Sequence, residues 1–214
     1  MTARTLYYAP GACSLAVHIA LEEIGAPFET VRLDLAKGDQ RAPEFLSVNE
    51  RGRVPALYED GWVLTEVTAI LRHLARTHPE AGLMPEGPRQ AAIADEWLGW
   101  LATAHQVAYA QVRRPERYAA DEDAFAAIRA KGADGFGDLC TMTEVRLSNG
   151  GWAVGGRFSI VDAYLLVFWL WARGPAIGFA MDPMFPAWTA HARAVAARPA
   201  VRAVLDREGL TPPS

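Results

Sequence analysis

Only two cysteines, Cys13 and Cys140, occur among 214 residues, and they stand in segments of different character. A disulfide framework is thereby disfavoured, and free thiols in a reducing compartment are expected. No apolar run reaches the roughly 20 residues of a membrane span. The start, Met1-Thr2-Ala3-Arg4, lacks the charged lead, apolar stretch and small-residue cleavage site of a secretion signal. The cytoplasm is therefore the expected compartment. Net positive charge is missing too. The formal charge is −4, which repels nucleic-acid phosphates unless basic residues cluster. Arg113, Arg114 and Arg117 form the one dense basic stretch, and Glu116, Asp121, Glu122 and Asp123 offset it. Neither a nucleic-acid nor a membrane partner is expected. No His, Cys, Asp and Glu spacing matches a metal site, so no metal is expected. Repeats and low-complexity tracts are also lacking. What remains is 51% hydrophobic and 21% charged, a globular composition. The length suits two domains that each bury a core.

Along the chain, Leu6-Tyr7-Tyr8 reads as a strand ending at Pro10-Gly11, both of which punctuate. From Cys13 to Gly25 the spacing of Leu15, Ile19 and Ile24 predicts a helix. Residues 28–35 read as a strand carrying Phe28, Val31, Leu33 and Leu35, and residues 42–46 as one helical turn. Residues 54–58 and 62–64 are two strands joined by the hairpin signal Glu59-Asp60-Gly61. Residues 66–77 are helical, with Ile70, Leu71 and Leu74 facing inward. The order β-α-β-α-β-β-α combines a parallel first unit with an antiparallel hairpin, so the sheet is mixed. Residues 79–88 break periodicity as a linker. The rest is helical. One long amphipathic helix is expected over 89–112 and another over 121–147. In the second, Gly132, Gly135 and Gly137 mark either a break or close packing of a neighbour. A buried helix over 159–171 and short helices over 186–196 and 199–206 complete the chain.

Four constellations carry chemistry or its positioning. In Tyr8-Ala9-Pro10-Gly11-Ala12-Cys13-Ser14 a strand ends, a loop turns and a cysteine opens a helix. Free N–H groups and the macrodipole there favour an anion, so Cys13 is expected to gain thiolate character; otherwise it is a small residue beside a turn. With Ala16 in place of a second cysteine, no Cys-x-x-Cys pair exists. At Val54-Pro55 a proline opens a strand. In cis it would turn the Val54 backbone outward to pair with an extended peptide; in trans it would be an ordinary edge proline. Glu66-Val67 starts a helix whose amides could receive a carboxylate while Glu66 binds an amino group, or Glu66 is simply a favourable first-turn acid. Ser159 and Asp162 form a capping box, a folding device. His105, four residues after Leu101, reads as partly buried packing.

These residues, in this order, resemble the glutathione transferase superfamily, most closely its bacterial beta class. The likeness lies in Tyr8 to Ala16 with His18-Ile19-Ala20-Leu21, and in Asn49-Glu50-Arg51-Gly52-Arg53-Val54-Pro55-Ala56-Leu57. It continues in Leu64-Thr65-Glu66, in Glu96-Trp97-Leu98 followed by His105, and in Gly156-Arg157-Phe158-Ser159-Ile160-Val161-Asp162. The resemblance implies a thioredoxin-like α/β domain over 1–79 and an all-α domain over 88–214. It implies glutathione as cosubstrate, with Cys13 at its sulfur, Tyr8 and Ser14 flanking that position and His105 contributing from the helical domain. Val54 would pair with the cysteinyl backbone, Pro55 would be cis, and Glu66 would hold the γ-glutamyl end beside Val67. Arg53 stands where the class usually has glutamine and Val67 where serine is common. A homodimer with the cleft near its interface is implied as well.

The function this points to is transfer of the glutathione thiolate to a small apolar electrophile. Two alternatives stay open: glutathione-dependent thiol–disulfide exchange through Cys13, and a non-catalytic binding or regulatory module.

Overall fold

The computed structural model describes residues 4–213; the readings placed on residues 1–3 and on Ser214 lie outside the described residues. Strand β1 (Arg4–Tyr8) alternates inward and outward, with Leu6 fully buried. Helix α1 (Ser14–Ile24) follows and stops at Gly25, whose φ of 72° is a left-handed cap that glycine adopts without a Cβ clash. Strand β2 (Glu29–Arg32), the short helix α2 (Pro43–Leu46), strands β3 (Ala56–Glu59) and β4 (Trp62–Thr65), and helix α3 (Val67–Thr77) complete the first unit. The sheet runs β2-β1-β3-β4; β1 and β2 are parallel and the other pairs antiparallel. This is the mixed sheet and element order read from the sequence. The β3–β4 hairpin turns at Asp60 and Gly61, both at positive φ (46° and 93°), as a tight two-residue hairpin requires.

Two local expectations need correction. The second strand is shorter than 28–35, and all four of its residues are exposed, including Val31. It is one of the two outer strands of the sheet, and the apolar residues that pack are its flanks. Phe28 packs on the main core, and Leu33 joins Phe45 and Ala56 in a small separate cluster. The helix expected over 89–112 is not uniform. It comprises α4 (Pro88–Trp100), a π-helical turn over Leu101–His105, and α5 (Gln106–Arg113). The wider turn accompanies the His105 ring, which is wedged against Trp100, Phe136 and Phe168.

Helix α6 (Phe125–Leu147) is unbroken, which settles the glycine question in favour of close packing at one position. A Cβ at Gly132 would meet Gln111 Cβ at 2.7 Å and the Ala108 carbonyl oxygen at 2.9 Å, so α5 and α6 touch backbone to backbone there. Helix α7 (Ile160–Arg173) is the centre of the helical half, with Leu165, Leu166, Val167 and Phe168 fully buried. Burying each such side chain is worth roughly 1.5–3 kcal/mol. Its start is held by the expected capping box. Asp162 accepts from the Ser159 N–H at 2.7 Å and the Ala153 N–H at 2.8 Å, and pairs with His191 Nε2 at 2.7 Å. Helices α8 (Met181–Met184), α9 (Pro186–Ala196) and α10 (Pro199–Glu208) close the chain. Helix α1 packs against α3, α7 and α10, so a single core runs through both halves.

Candidate active site

Where the sheet unit meets α5 and α7, a cleft of about 570 Å³ opens. The sheet side supplies Pro10 to Cys13, Arg51 to Pro55, and Thr65 to Thr68; the helical side supplies Gln106, Tyr109, Arg113, Arg114, Arg117 and Trp171 among others. Cys13 therefore lies at the cleft, as its place after β1 implied. The Val54–Pro55 peptide bond is cis. The loop before it is shaped by Asn49, which donates through Nδ2 to the Arg53 carbonyl at 2.6 Å and accepts from the Arg51 N–H at 3.1 Å. Gly52 is required in this loop: its φ is 58°, and a Cβ would lie 2.6 Å from the Gln40 carbonyl oxygen. The Val54 N–H has no partner among the described residues, so it is free to pair with a bound peptide.

Glu66 sits at the cap of α3 with φ 71°. A non-glycine residue held there stores about 1–3 kcal/mol of strain, a feature that gathers at ligand sites. Its carboxylate meets Arg51 at 2.7 Å, but both side chains are mostly exposed, so that pair is weak and easily exchanged for a ligand ammonium. Val67 and Thr68, whose amides belong to the unbonded first turn of α3, line the same end of the cleft.

The thiolate expected at Cys13 is not what the geometry supports. Cys13 is only partly buried, yet loss of solvent around its sulfur pushes the thiol up to about 12; the charge of Glu66 adds to the rise, and the backbone amides of Cys13 and Ser14 and the charge of Arg117 oppose it. Sγ donates to the Val54 carbonyl oxygen at 3.5 Å, a contact that a thiolate would turn into repulsion. The next two amides of the helix start are already taken, which leaves only those of Cys13 and Ser14 to favour an anion. Leu15 N–H bonds the Ala12 carbonyl at 3.0 Å, and Ala16 N–H bonds the Cys13 carbonyl at 3.3 Å. A raised thiol is protonated at neutral pH. Alkylation of Cys13 by iodoacetamide is thus expected to accelerate about ten-fold per pH unit up to at least pH 9. A plateau near pH 7 would show a thiolate and overturn this. Cys140 is fully buried in α6 with its thiol also raised to about 12, consistent with an inert residue.

Three further expected residues lie outside the cleft lining. Tyr8 is buried, with its ring edge-on to His18 at 5.1 Å. Ser14 is fully buried, and its hydroxyl bonds both the N–H and the carbonyl of Ala9 at 3.2 Å, bracing the loop instead of facing a ligand. His105 is fully buried beneath α7, with Nε2 against Thr143 Oγ1 at 3.0 Å. Its contact with the thiol region was an expectation carried by the resemblance alone, and packing among aromatic rings removes it from the cleft. Arg53, Val54, Pro55, Glu66 and Val67 do line the cleft together with Cys13.

Sequence reasoning read Trp171 as core or cleft wall and missed its partner in that wall, Tyr109. Tyr109 and Trp171 stack at 4.2 Å, and Trp171 Nε1 donates to the Gly11 carbonyl at 2.7 Å. Glu208, the last residue of α10, accepts from the Gly11 N–H at 2.9 Å and meets His18 Nδ1 at 2.7 Å. The sequence reading ended this helix at residue 206, so Glu208 fell outside it.

The fold and cleft define a two-part protein of thioredoxin-like and helical halves with a thiol between them. Its residues 3–76 match the glutathione S-transferase N-terminal domain, and residues 129–199 match the glutathione S-transferase C-terminal domain. The glutathione S-transferase GstA of Escherichia coli O157:H7 is 34% identical over 208 residues, covering 96% of this chain and 98% of that protein. A glutathione transferase homologue from Sulfitobacter, solved with bound glutathione, superposes with a TM-score of 0.91 at 35% identity, over 99% of this chain and 100% of that one. The beta-class glutathione S-transferase of Sphingomonas chungbukensis superposes with a TM-score of 0.84 at 33% identity, over 97% and 100%. The chain belongs to the glutathione S-transferase family.

Proposed function

We propose that this glutathione transferase binds its tripeptide in extended form along Val54, with the sulfur beside Cys13 and the γ-glutamyl end at Glu66 and Val67. The observation that carries this reading is the unpaired Val54 N–H lying in one cleft with the Cys13 thiol and the first-turn amides of α3. A small electrophile with an apolar body would stack against Tyr109 and Trp171, within reach of the sulfur. A protonated Cys13 favours conjugation over thiol–disulfide exchange, because its own attack at neutral pH would be slow. The division of labour follows: residues 1–79 hold glutathione, and residues 88–214 hold the second substrate. The enzyme would act in the cytoplasm; among the described residues no helix is long and apolar enough to cross a membrane.

The test is glutathione affinity. Val67 offers an amide but no hydroxyl to the glutamyl carboxylate. A hydrogen bond to a charged group is worth about 1.5–3 kcal/mol, so Val67→Ser should tighten binding roughly ten-fold. Titration calorimetry of the parent, Val67→Ser and Arg53→Gln would read this. An unchanged Kd in Val67→Ser would remove the γ-glutamyl end from α3.

We also propose a two-fold homodimer whose self-complementary patch is built from α3, α4 and α6. A monomeric mass by light scattering at micromolar concentration would rule it out.

A further inference from the structure

We propose that the second substrate carries a carboxylate or similar anionic group, and that Arg113, Arg114 and Arg117 receive it. This rests on the transferase reading above and names its substrate class.

The three arginines end α5 and enter the 3₁₀ turn Pro115–Arg117. All three line the cleft, opposite Arg53 and on the same side as Tyr109 and Trp171. None of the four makes an ion pair or hydrogen bond through its side chain among the described residues. The one acidic residue lining the cleft is Glu66, which is paired with Arg51. The acidic residues that offset this basic stretch in the sequence, Glu116, Asp121, Glu122 and Asp123, are not part of the lining. Folding therefore separates the two signs of charge and leaves the cations facing the cleft.

The segment is also firmly built. Val112 and Pro115 are buried, the Arg114 N–H bonds the Ala110 carbonyl at 2.7 Å, and the Arg117 N–H bonds the Arg114 carbonyl at 3.0 Å. Arg129 donates to the Val112 carbonyl, and the Tyr118 hydroxyl donates to the Val107 carbonyl at 3.3 Å. Arg53, Arg114 and Arg117 are near enough to repel one another. Partial loss of solvent and the charges of Arg53 and Arg114 lower Arg117, whose side chain stays largely exposed, and Arg117 in turn is among the influences favouring a thiolate at Cys13. An anion between them would relieve the repulsion. Planar guanidinium forks suit a carboxylate, which they bind in bidentate fashion. A cation at a helix C-terminus also complements the macrodipole, but that accounts for one residue near the helix end and not for three turned to the cleft. Glutathione has carboxylates of its own. The glutamyl carboxylate is assigned to α3, and Arg53 lies on the peptide side for the other, which leaves the α5 arginines for the second substrate.

A chloronitrobenzoate and its neutral carboxamide form a matched pair. Glutathione sulfur attacks the ring carbon bearing chlorine, the S–C bond forms, chloride leaves with the bonding pair, and the thiol proton passes to solvent. After each rate is divided by its uncatalysed rate, kcat/KM is expected to favour the acid by on the order of ten-fold or more. The preference should shrink as salt is raised. In the Arg113→Gln/Arg114→Gln/Arg117→Gln variant, and more weakly in Arg117→Gln alone, the acid-to-amide ratio should fall toward one, through KM for the acid. An unchanged ratio, or a rise in KM for glutathione that equals the loss on the acid, would overturn the proposal; the latter would assign the arginines to glutathione. Binding of unreactive nitrobenzoate to the glutathione-saturated protein, read by tryptophan quenching, keeps the two readings apart. Arginine-dependent binding without turnover of either compound would sink the transferase reading and keep the anion site. Turnover of both compounds with no arginine-dependent binding would do the reverse.

Discussion

Glu208→Ala is expected to destabilise the protein by roughly 3–5 kcal/mol and to loosen the loop that carries Cys13. The Glu208 side chain is fully buried, and it holds together two segments nearly 200 positions away in sequence: the Gly11 amide of the thiol loop and the His18 ring of α1. Alanine would leave the Gly11 N–H and His18 Nδ1 without a partner inside the core, although His18 Nε2 keeps Arg207 at 3.2 Å, and each buried unsatisfied group costs about 1–3 kcal/mol. Folded domains are stable by only about 5–15 kcal/mol, so the loss is a large share. Trp171 still donates to the Gly11 carbonyl, so Gly11 keeps one of its two anchors. Glu208→Gln retains an acceptor for the Gly11 N–H and should cost clearly less. Urea unfolding of the three proteins gives the stabilities, and Cys13 alkylation at fixed pH reports the loop. A Glu208→Ala midpoint within about 1 kcal/mol of the parent would show that the C-terminal helix does not clamp the site.

That clamp also shows where the sequence is legible and where it stops. Element order depends on local patterns, and these were readable: β1 ending at Pro10-Gly11, the Asp60-Gly61 hairpin, and Ser159 with Asp162 opening α7. The extent of β2 depends on what covers its faces, and no periodicity reports that. The π-turn at Leu101–His105 accompanies a ring packed between Trp100, Phe136 and Phe168, which approach from three helices. Helix propensity is silent about such packing.

The site divides the same way. Its sheet side is built from consecutive residues, so Cys13, Arg53, Val54, Pro55, Glu66 and Val67 could be named together and do line one cleft. Its helical side comes from residues scattered between Ala102 and Trp171, joined only by packing. The basic stretch at Arg113–Arg117 was visible, but in sequence its charge is cancelled by neighbours that the fold turns elsewhere. Ser14 and Tyr8 show the opposite limit. Sequence adjacency to Cys13 does not place them in the cleft, because successive residues at a helix start and a strand end point in different directions.

His105 provides the second large effect, a pH-dependent loss of stability confined to the acid side. Thr143 spends its hydroxyl proton on the Leu139 carbonyl at 2.9 Å, so its oxygen accepts from His105, and the ring proton belongs on Nε2. Nδ1 is then a bare acceptor, buried with no hydrogen-bond partner. Desolvation among aromatic rings holds His105 down to about 4, and the carbonyls of Leu139 and Trp100 offset this only in part. In the unfolded chain the same group titrates near its usual 6.5. Between those values the unfolded state binds more protons than the folded state, so stability rises with pH there. The contribution is fully present above about pH 6.5 and is lost as pH falls toward 4. At 1.36 kcal/mol per unit, the loss between pH 7 and pH 4.5 comes to about 2 kcal/mol. Glu59, lowered by its contacts with His73 and Arg4, also loses stabilising contacts in acid, but it does so equally in a His105 variant. The comparison is therefore between the parent and His105→Gln, each unfolded in urea at both pH values. The variant should be less stable at pH 7, through lost packing, and should show an acid loss smaller by about 2 kcal/mol. Equal acid losses in the two proteins would mean that His105 does not stay neutral in the core. The pH profile of kcat should be the same in shape for parent and variant, since the ring is not part of the cleft lining.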